Sequence, residues 1–234
     1  MVEIVLEGPG KNALGSKMMV AVAEQLRAAG DAPVLLRGSG DALSAGLDLT
    51  EVVSLDVAGM DSFLRRLQEL METLFHHPGP TVACVNGHAI AGDCILALAC
   101  DHRIGTTHPG ARIGLNEVAL GLRFPPGVLA MVRHRLPQAE TVVLGAALHG
   151  PAEALRLGLL DELADDPLAA ARKHLATIAA YPRKAYASSK SDLRGKVGRS
   201  DPESERAFLA DVLPVWTSDE LRARIRGFLD RKRS

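Results

Sequence analysis

Three stretches of this 234-residue chain place chemistry-bearing groups at defined corners. In "GSGDALSAGLDL", residues 38 to 49, small residues bring backbone amides close to a corner at Ala45–Asp48. In "VNGHAIAGDCILALACD", residues 85 to 101, an apolar run bends at Ala89–Gly92, sets one carboxylate at Asp93 and starts a second apolar run. A strand ending at Asn86 and a helix beginning at Gly92 would leave N–H groups unpaired at the helix start. Such amides, helped by the helix dipole, stabilise negative charge on a bound oxygen. Glycine there lets a ligand approach without meeting a Cβ. In "ARIGLNEVALGL", residues 111 to 122, Glu117 stands among Ile113, Leu115, Val118, Ala119 and Leu120. An apolar wall around its carboxyl would raise the pKa and suit it to proton transfer near neutral pH. Taken singly, each stretch also has a plain structural reading: a flexible loop, a strand–turn–helix with Asp93 as a first-turn acid, and a surface acid after a strand.

The elements that must position these groups alternate. "VEIVLEG", "PVLLRG" and "TVACVNG" read as strands. Lys17–Ala29, closed by Gly30, and Met60–Phe75 read as helices. In the second helix Phe63, Leu64, Leu67, Leu70, Met71, Leu74 and Phe75 recur at helical spacing until "HHPGP" stops it. Asp93–Ala99 is a short helix, "HRIG" and "ARIGL" are strand-like, and Pro126–Arg135 is a helix. Beyond Pro137 the pattern is mostly helical: "AETVVLGAAL", "PAEALRLG" and Pro167–Ala180, with a strand candidate at Leu159–Leu163. Ser218 caps a last helix that carries Leu221, Ile225, Phe228 and Leu229 on one stripe. That stripe is more apolar than a solvated tail requires. "GKVGRSDPES" is the best linker candidate.

Composition removes several classes of function. Lys and Arg number 27 against 28 Asp and Glu, a net charge of -1, so no field gathers nucleic acid or coats an anionic membrane. Aromatic residues make up only 3%, leaving few rings to stack on bases. No apolar run approaches the ~20 residues of a spanning helix. "MVEIVLEGPGKN" lacks the pattern of a signal peptide, and the expectation is a soluble, cytoplasmic protein. Cys84, Cys94 and Cys100 lack paired CxxC spacing and read as reduced core thiols, with no metal site expected.

Together and in this order, the three stretches resemble the enoyl-CoA hydratase/isomerase (crotonase) superfamily. "SAGLDL" is similar to the family's (A/S)-A-G-x-D segment. "VNGHAIAGDCILALACDHRI" is similar to its N-G-x-x-x-G-G-G-x-x-L-x-x-x-C-D stretch. "NAL" near residue 12 and "GFLDRKR" at the C-terminus extend the likeness over nearly the whole chain. The resemblance implies an α/β fold, a crotonase-like spiral of ββα units over residues 1–181. A C-terminal helical region, 182–234, would serve oligomerisation and coenzyme A contact, in a homotrimer or hexamer. It implies oxyanion-hole amides at Leu47 and Gly92 and a catalytic carboxylate at Glu117. Ala45 would meet the adenine of coenzyme A through its carbonyl, Leu47, Asp48 and Gly92 would line the substrate site, and Phe228 and Arg231 would join the coenzyme A pocket. No permanent cofactor is implied; coenzyme A arrives as part of an acyl-CoA substrate.

Three departures from the family pattern bear on the reading. The position of the first hydratase glutamate is Ile95, whereas the second is kept as Glu117, in the manner of the single-glutamate Δ3,Δ2-enoyl-CoA isomerases. Asp93 replaces a small residue of the glycine run and is an auxiliary candidate. "LEGP" also lacks the arginine often found before that proline. The expected activity is enoyl-CoA isomerisation in fatty acid metabolism. The alternatives are an enoyl-CoA hydratase or another thioester enzyme of the superfamily, and a coenzyme A-binding protein without significant catalysis.

Overall fold

Strands and helices follow one another in an order that sorts the strands into two parallel sheets. The computed structural model describes residues 1–199 and 201–231, and the side chain of Arg231 falls outside that description. In chain order these are β1 (Val2–Leu6), α1 (Pro9–Asn12, a single turn), α2 (Ser16–Ala29), β2 (Val34–Gly38), β3 (Ala42–Ser44), α3 (Leu49–Val52) and α4 (Val57–Phe75). There follow β4 (Thr81–Val85), β5 (His88–Ile90), α5 (Gly92–Ala99), β6 (His102–Thr106), β7 (Ile113–Gly114), a 3-10 turn at Val118–Leu120 and α6 (Pro126–Arg135). The chain ends through α7 (Ala139–Gly145), α8 (Pro151–Arg156), β8 (Glu162–Ala164), α9 (Pro167–Ala179), α10 (Arg183–Arg194), α11 (Pro202–Trp216) and α12 (Asp219–Arg231).

The larger sheet has five strands in the order β1-β2-β4-β6-β8, and the smaller has three in the order β3-β5-β7. Each of β2, β4 and β6 leads directly into the next strand of the smaller sheet, and a helix follows each pair. This is the expected spiral of ββα units. Every residue of β4 is buried, which is why it reads as a continuous apolar run. α4 supplies the broadest apolar face, with Phe63 and Phe75 fully buried, and Asp56 caps it by accepting from the Gly59 N–H at 2.7 Å. No helix among the described residues is long and apolar enough to cross a membrane.

The C-terminal helices are fastened to the spiral. α10 carries Lys190 and Arg194 onto Asp101, at 2.8 and 2.7 Å, and the Tyr186 hydroxyl donates to the same carboxylate at 2.8 Å. Arg194 also lies over the Phe75 ring, 4.2 Å from its centroid. Burial alone would raise the Asp101 pKa, but the two cations outweigh it and hold the group below the usual aspartate range. In α12, Leu221 and Ile225 are 3% and 1% exposed within the single chain. Two members of the stripe are thus covered by the chain's own fold, and Phe228 and Leu229 are half-buried. The strand expected at Leu159–Leu163 starts later, at Glu162, because Leu159 and Leu160 are buried in the turn before it. α11 shows no clean apolar period in the sequence, and it packs Phe208, Leu209, Val212 and Trp216 into the core.

Candidate active site

The three stretches are the exits of three neighbouring strands. β3 pairs with β5 (Ser44 beside Ala89) and β5 with β7 (Ile90 beside Gly114), all parallel. Their carboxyl ends therefore open on one side, and the next residues are Ala45–Asp48, Ala91–Asp93 and Leu115–Glu117. Loops at the carboxyl ends of parallel strands are where such sheets present their chemistry.

The first exit is locked by residues of α1 and the turn after it. The Ala45 N–H donates to the Lys11 carbonyl at 3.0 Å. Leu14 donates to the Gly46 carbonyl at 2.9 Å and accepts from the Asp48 N–H at 3.1 Å. Leu14 thus clasps Leu47 from one side, and in such a parallel bridge the N–H of Leu47 points to the other. Gly46 has φ +102, a conformation that side chains rarely adopt, and an added Cβ would stand 3.2 Å from the Ile90 carbonyl. Asn12, at φ 62, donates from its side chain to the carbonyls of Ser39, Ala42 and Leu43 at 2.8, 3.1 and 3.3 Å. The sequence marked Asn12 only as part of "NAL"; its role here is to hold β3 and the loop before it.

At the second exit the turn is made by Ala91, at φ 53 and ψ -125. A side chain in that conformation is strained, of order 1–3 kcal/mol, and the strain delivers Gly92 to the first position of α5. Among the described residues, neither the Leu47 nor the Gly92 N–H donates to another backbone group. A Cβ at Gly92 would lie 2.9 Å from Leu47 Cδ2, so the two residues pack against each other. All eight residues of α5 are buried, including Ile95 at 2%.

Glu117 closes the third exit. Its carbonyl accepts from the Leu120 and Leu122 N–H groups at 3.0 and 2.9 Å. The residue is 6% exposed, and one carboxyl oxygen, Oε2, is buried without a partner. Desolvation pushes its pKa up to about 8. The apolar wall differs from the one read in the sequence: Ile113 and Leu115 are buried, but Val118 is 43% exposed and Ala119 also faces outward. The 3-10 turn after Glu117 rolls those two residues away.

Asp93 is the group whose setting the sequence did not reveal. It does stand in the first turn of α5, but fully buried, with both carboxyl oxygens unpartnered. The Ser44 side chain and the Gly46 N–H are near enough to favour its ionised form. Neither makes a hydrogen bond of ordinary geometry to it, and Ser44 Oγ donates instead to the Asn12 carbonyl at 2.5 Å. Burial, and then the charge of Glu117, raise its pKa well above the usual range. Both influences favour the protonated form of Asp93.

The remaining predicted residues lie on the first exit and on α12. Ala45 is half-buried beside Leu47. Asp48 caps α3, accepting from Thr50 and Glu51 N–H groups at 3.0 and 3.1 Å. α12 adjoins the loop after Glu117 through Arg224, which donates to the Leu120 carbonyl at 3.4 Å. Phe228 is half-buried on that helix, and the side chain of Arg231 is outside the described residues.

Two N–H groups without a backbone partner and a desolvated carboxyl, on the exits of neighbouring parallel strands in a ββα spiral, are chemically suited to enolisation of a bound carbonyl compound. Residues 1–233 match the enoyl-CoA hydratase/isomerase family, and the chain belongs to that family. It is 29% identical over 194 residues to enoyl-CoA delta isomerase 1, mitochondrial, of Mus musculus, covering 80% of this chain and 66% of that protein, just under two thirds of its length. It is 31% identical over 198 residues to a probable enoyl-CoA hydratase (echA17) of Mycobacterium avium, covering 80% and 76%. The crystal structure of human mitochondrial delta3-delta2-enoyl-CoA isomerase superposes with a TM-score of 0.90 at 26% identity, over 99% of this chain and 94% of that one.

Proposed function

We propose that this chain is an enoyl-CoA isomerase that moves a double bond from C3 to C2 of an acyl-CoA thioester. The observation that supports the reading is a buried carboxyl, Glu117, with a free oxygen and within electrostatic reach of Asp93, the neighbour of Gly92, whose N–H, like that of Leu47, has no backbone partner. Ionised Glu117 takes a proton from C2 of the 3-enoyl thioester. The electron pair passes into the carbonyl oxygen, giving a dienolate whose charge the two N–H groups hold. Glu117 then returns the proton at C4, the carbonyl re-forms, and the double bond lies between C2 and C3. Donors fixed in advance favour the charged state over the ground state. Ile95 keeps that side of the pocket apolar and supplies no second base for water.

Ala45, Asp48, Phe228 and Arg231 are the proposed surroundings of the coenzyme A portion. A trimer or hexamer remains the proposed assembly on family resemblance. A hydratase is the second reading, because Asp93 places another buried carboxyl within electrostatic reach of Glu117. Purified protein given a 3-enoyl-CoA and a 2-enoyl-CoA separates the two. Isomerisation without water addition supports the proposal; faster hydration than isomerisation overturns it. Turnover of neither, with thioester binding intact, would leave a coenzyme A-binding protein.

A further inference from the structure

Away from the strand exits, three side chains from three elements are arranged as ligands without a shared partner. His102 opens β6, Glu162 opens β8 and His174 stands on α9, and one nitrogen or oxygen from each lies within 4.8 Å of the other two. His102 Nε2 is buried with no hydrogen-bond partner and faces Glu162 Oε2 at 3.8 Å. The other ring nitrogen, Nδ1, faces Asp161 Oδ2 at 3.7 Å. Asp161 is itself held in place by Arg103, at 2.6 Å from the side chain and 2.8 Å from the N–H. The His174 ring stacks on that of His102, with centroids 3.9 Å apart and planes at 7°.

We propose that His102, Glu162 and His174 form a binding site for a divalent transition ion of the Zn2+ type. Two imidazoles with one carboxylate suit Zn2+, Co2+ or Ni2+; Ca2+ and Mg2+ prefer sets of oxygens. Bond lengths to Zn2+ of about 2.0–2.2 Å place ligand atoms roughly 3.3–3.5 Å apart, so the three must draw together by about 1 Å. Glu162 has the freedom to do so, its side chain being 50% exposed. The stacked rings must also tilt, because parallel imidazoles do not aim their lone pairs at one point. Asp161 stands where a carboxylate orients a ligating histidine through its second nitrogen, leaving Nε2 for the ion. A stacked pair with no ion function leaves that buried nitrogen unexplained.

The placement gives such an ion a task. β8 is the edge of the larger sheet and pairs only with β6. An ion held by β6, β8 and α9 would pin that edge strand to its neighbour and to the helix covering both. The sites of proton transfer play no part in this, so the inference stands apart from the isomerase reading.

The test is calorimetric titration of tag-free protein with ZnCl2, paired with thermal melts. The expected result is uptake of about one Zn2+ per chain, with a rise in Tm of roughly 5–10 °C at a hundredfold excess over Kd. His174→Ala and Glu162→Gln should each weaken binding at least tenfold. Co2+ in the wild type should give visible bands of tetrahedral intensity that both variants lose. Glu162→Gln alters only a half-exposed side chain, so it reports even where His174→Ala disturbs α9. No uptake, or equal uptake by wild type and both variants, overturns the proposal.

Discussion

Leu47 Cδ2 occupies the space that a Gly92 Cβ would need, 2.9 Å from it. The two residues proposed as paired N–H donors are thus positioned by direct packing. Gly92→Ala should push the flexible end of Leu47 aside at a cost in stability of about 1–3 kcal/mol. The same shift misaligns two donors whose individual loss typically costs a hundredfold or more in rate. Steady-state kinetics should show kcat falling far more than KM rises. A variant with unchanged kcat would remove Leu47 and Gly92 from the oxyanion site.

Glu117 must be ionised to take a proton, and its pKa is about 8. The kcat/KM of the wild type should therefore climb as pH rises through about 8, since that quantity reports the free enzyme. Glu117→Gln should abolish turnover with little effect on binding. It should also stabilise the fold. A carboxyl raised from 4.5 to about 8 makes the native state bind more protons than the unfolded one. Stability is then complete below pH 4.5 and declines as pH rises toward 8. At pH 7 the decline is at most roughly 3 kcal/mol. Urea melts at pH 5 and pH 8 should show the variant gaining on the wild type at the higher pH only.

Asp93→Asn tests whether the second buried carboxyl moves protons. The amide keeps the shape of the carboxyl, and the proposal assigns proton transfer to Glu117 alone. Turnover within several-fold of wild type is expected. Loss comparable to that in Glu117→Gln, measured on both enoyl-CoA isomers, would transfer the role to Asp93.

Asp101 holds two buried cations, and its loss would strand both. Asp101→Asn should cost about 3–5 kcal/mol, as when one member of a buried ion group is removed. Its contribution is present above the ordinary aspartate pKa and is lost as pH falls through the lower folded value. Denaturant midpoints at pH 7 and at pH 3 check both statements: the gap between variant and wild type should narrow in acid.

What the sequence disclosed was local. Glycine corners, a carboxylate after an apolar strand and helical stripes are written within a dozen residues, and the three strand exits were legible for that reason. β3 and β5, three residues each, are too short to carry a period and exist by tertiary pairing. The burial of Asp93 was hidden because a first-turn acid ordinarily meets water. Asn12 reaches carbonyls 27 to 31 residues away, and Lys190 and Arg194 reach Asp101 across 89 and 93. Such partners have no signature along the chain. The stripe of α12 was seen correctly, but whether it meets its own chain or another copy is not a property of spacing.

Helix α5 is a rod about 12 Å long, with the Gly92 N–H at its head. Arg135 grips its tail, donating to the carbonyls of Leu98, Cys100 and Asp101 at 3.0, 2.9 and 3.0 Å. Asp101 is in turn clamped by α10. The rod is a strut seated against the C-terminal helices, and the aim of its head is set at the opposite end. Damage to that seat would reach the strand exits as an error of alignment, with every reacting group still present. The distant helices thereby set the tolerance to which the site is built.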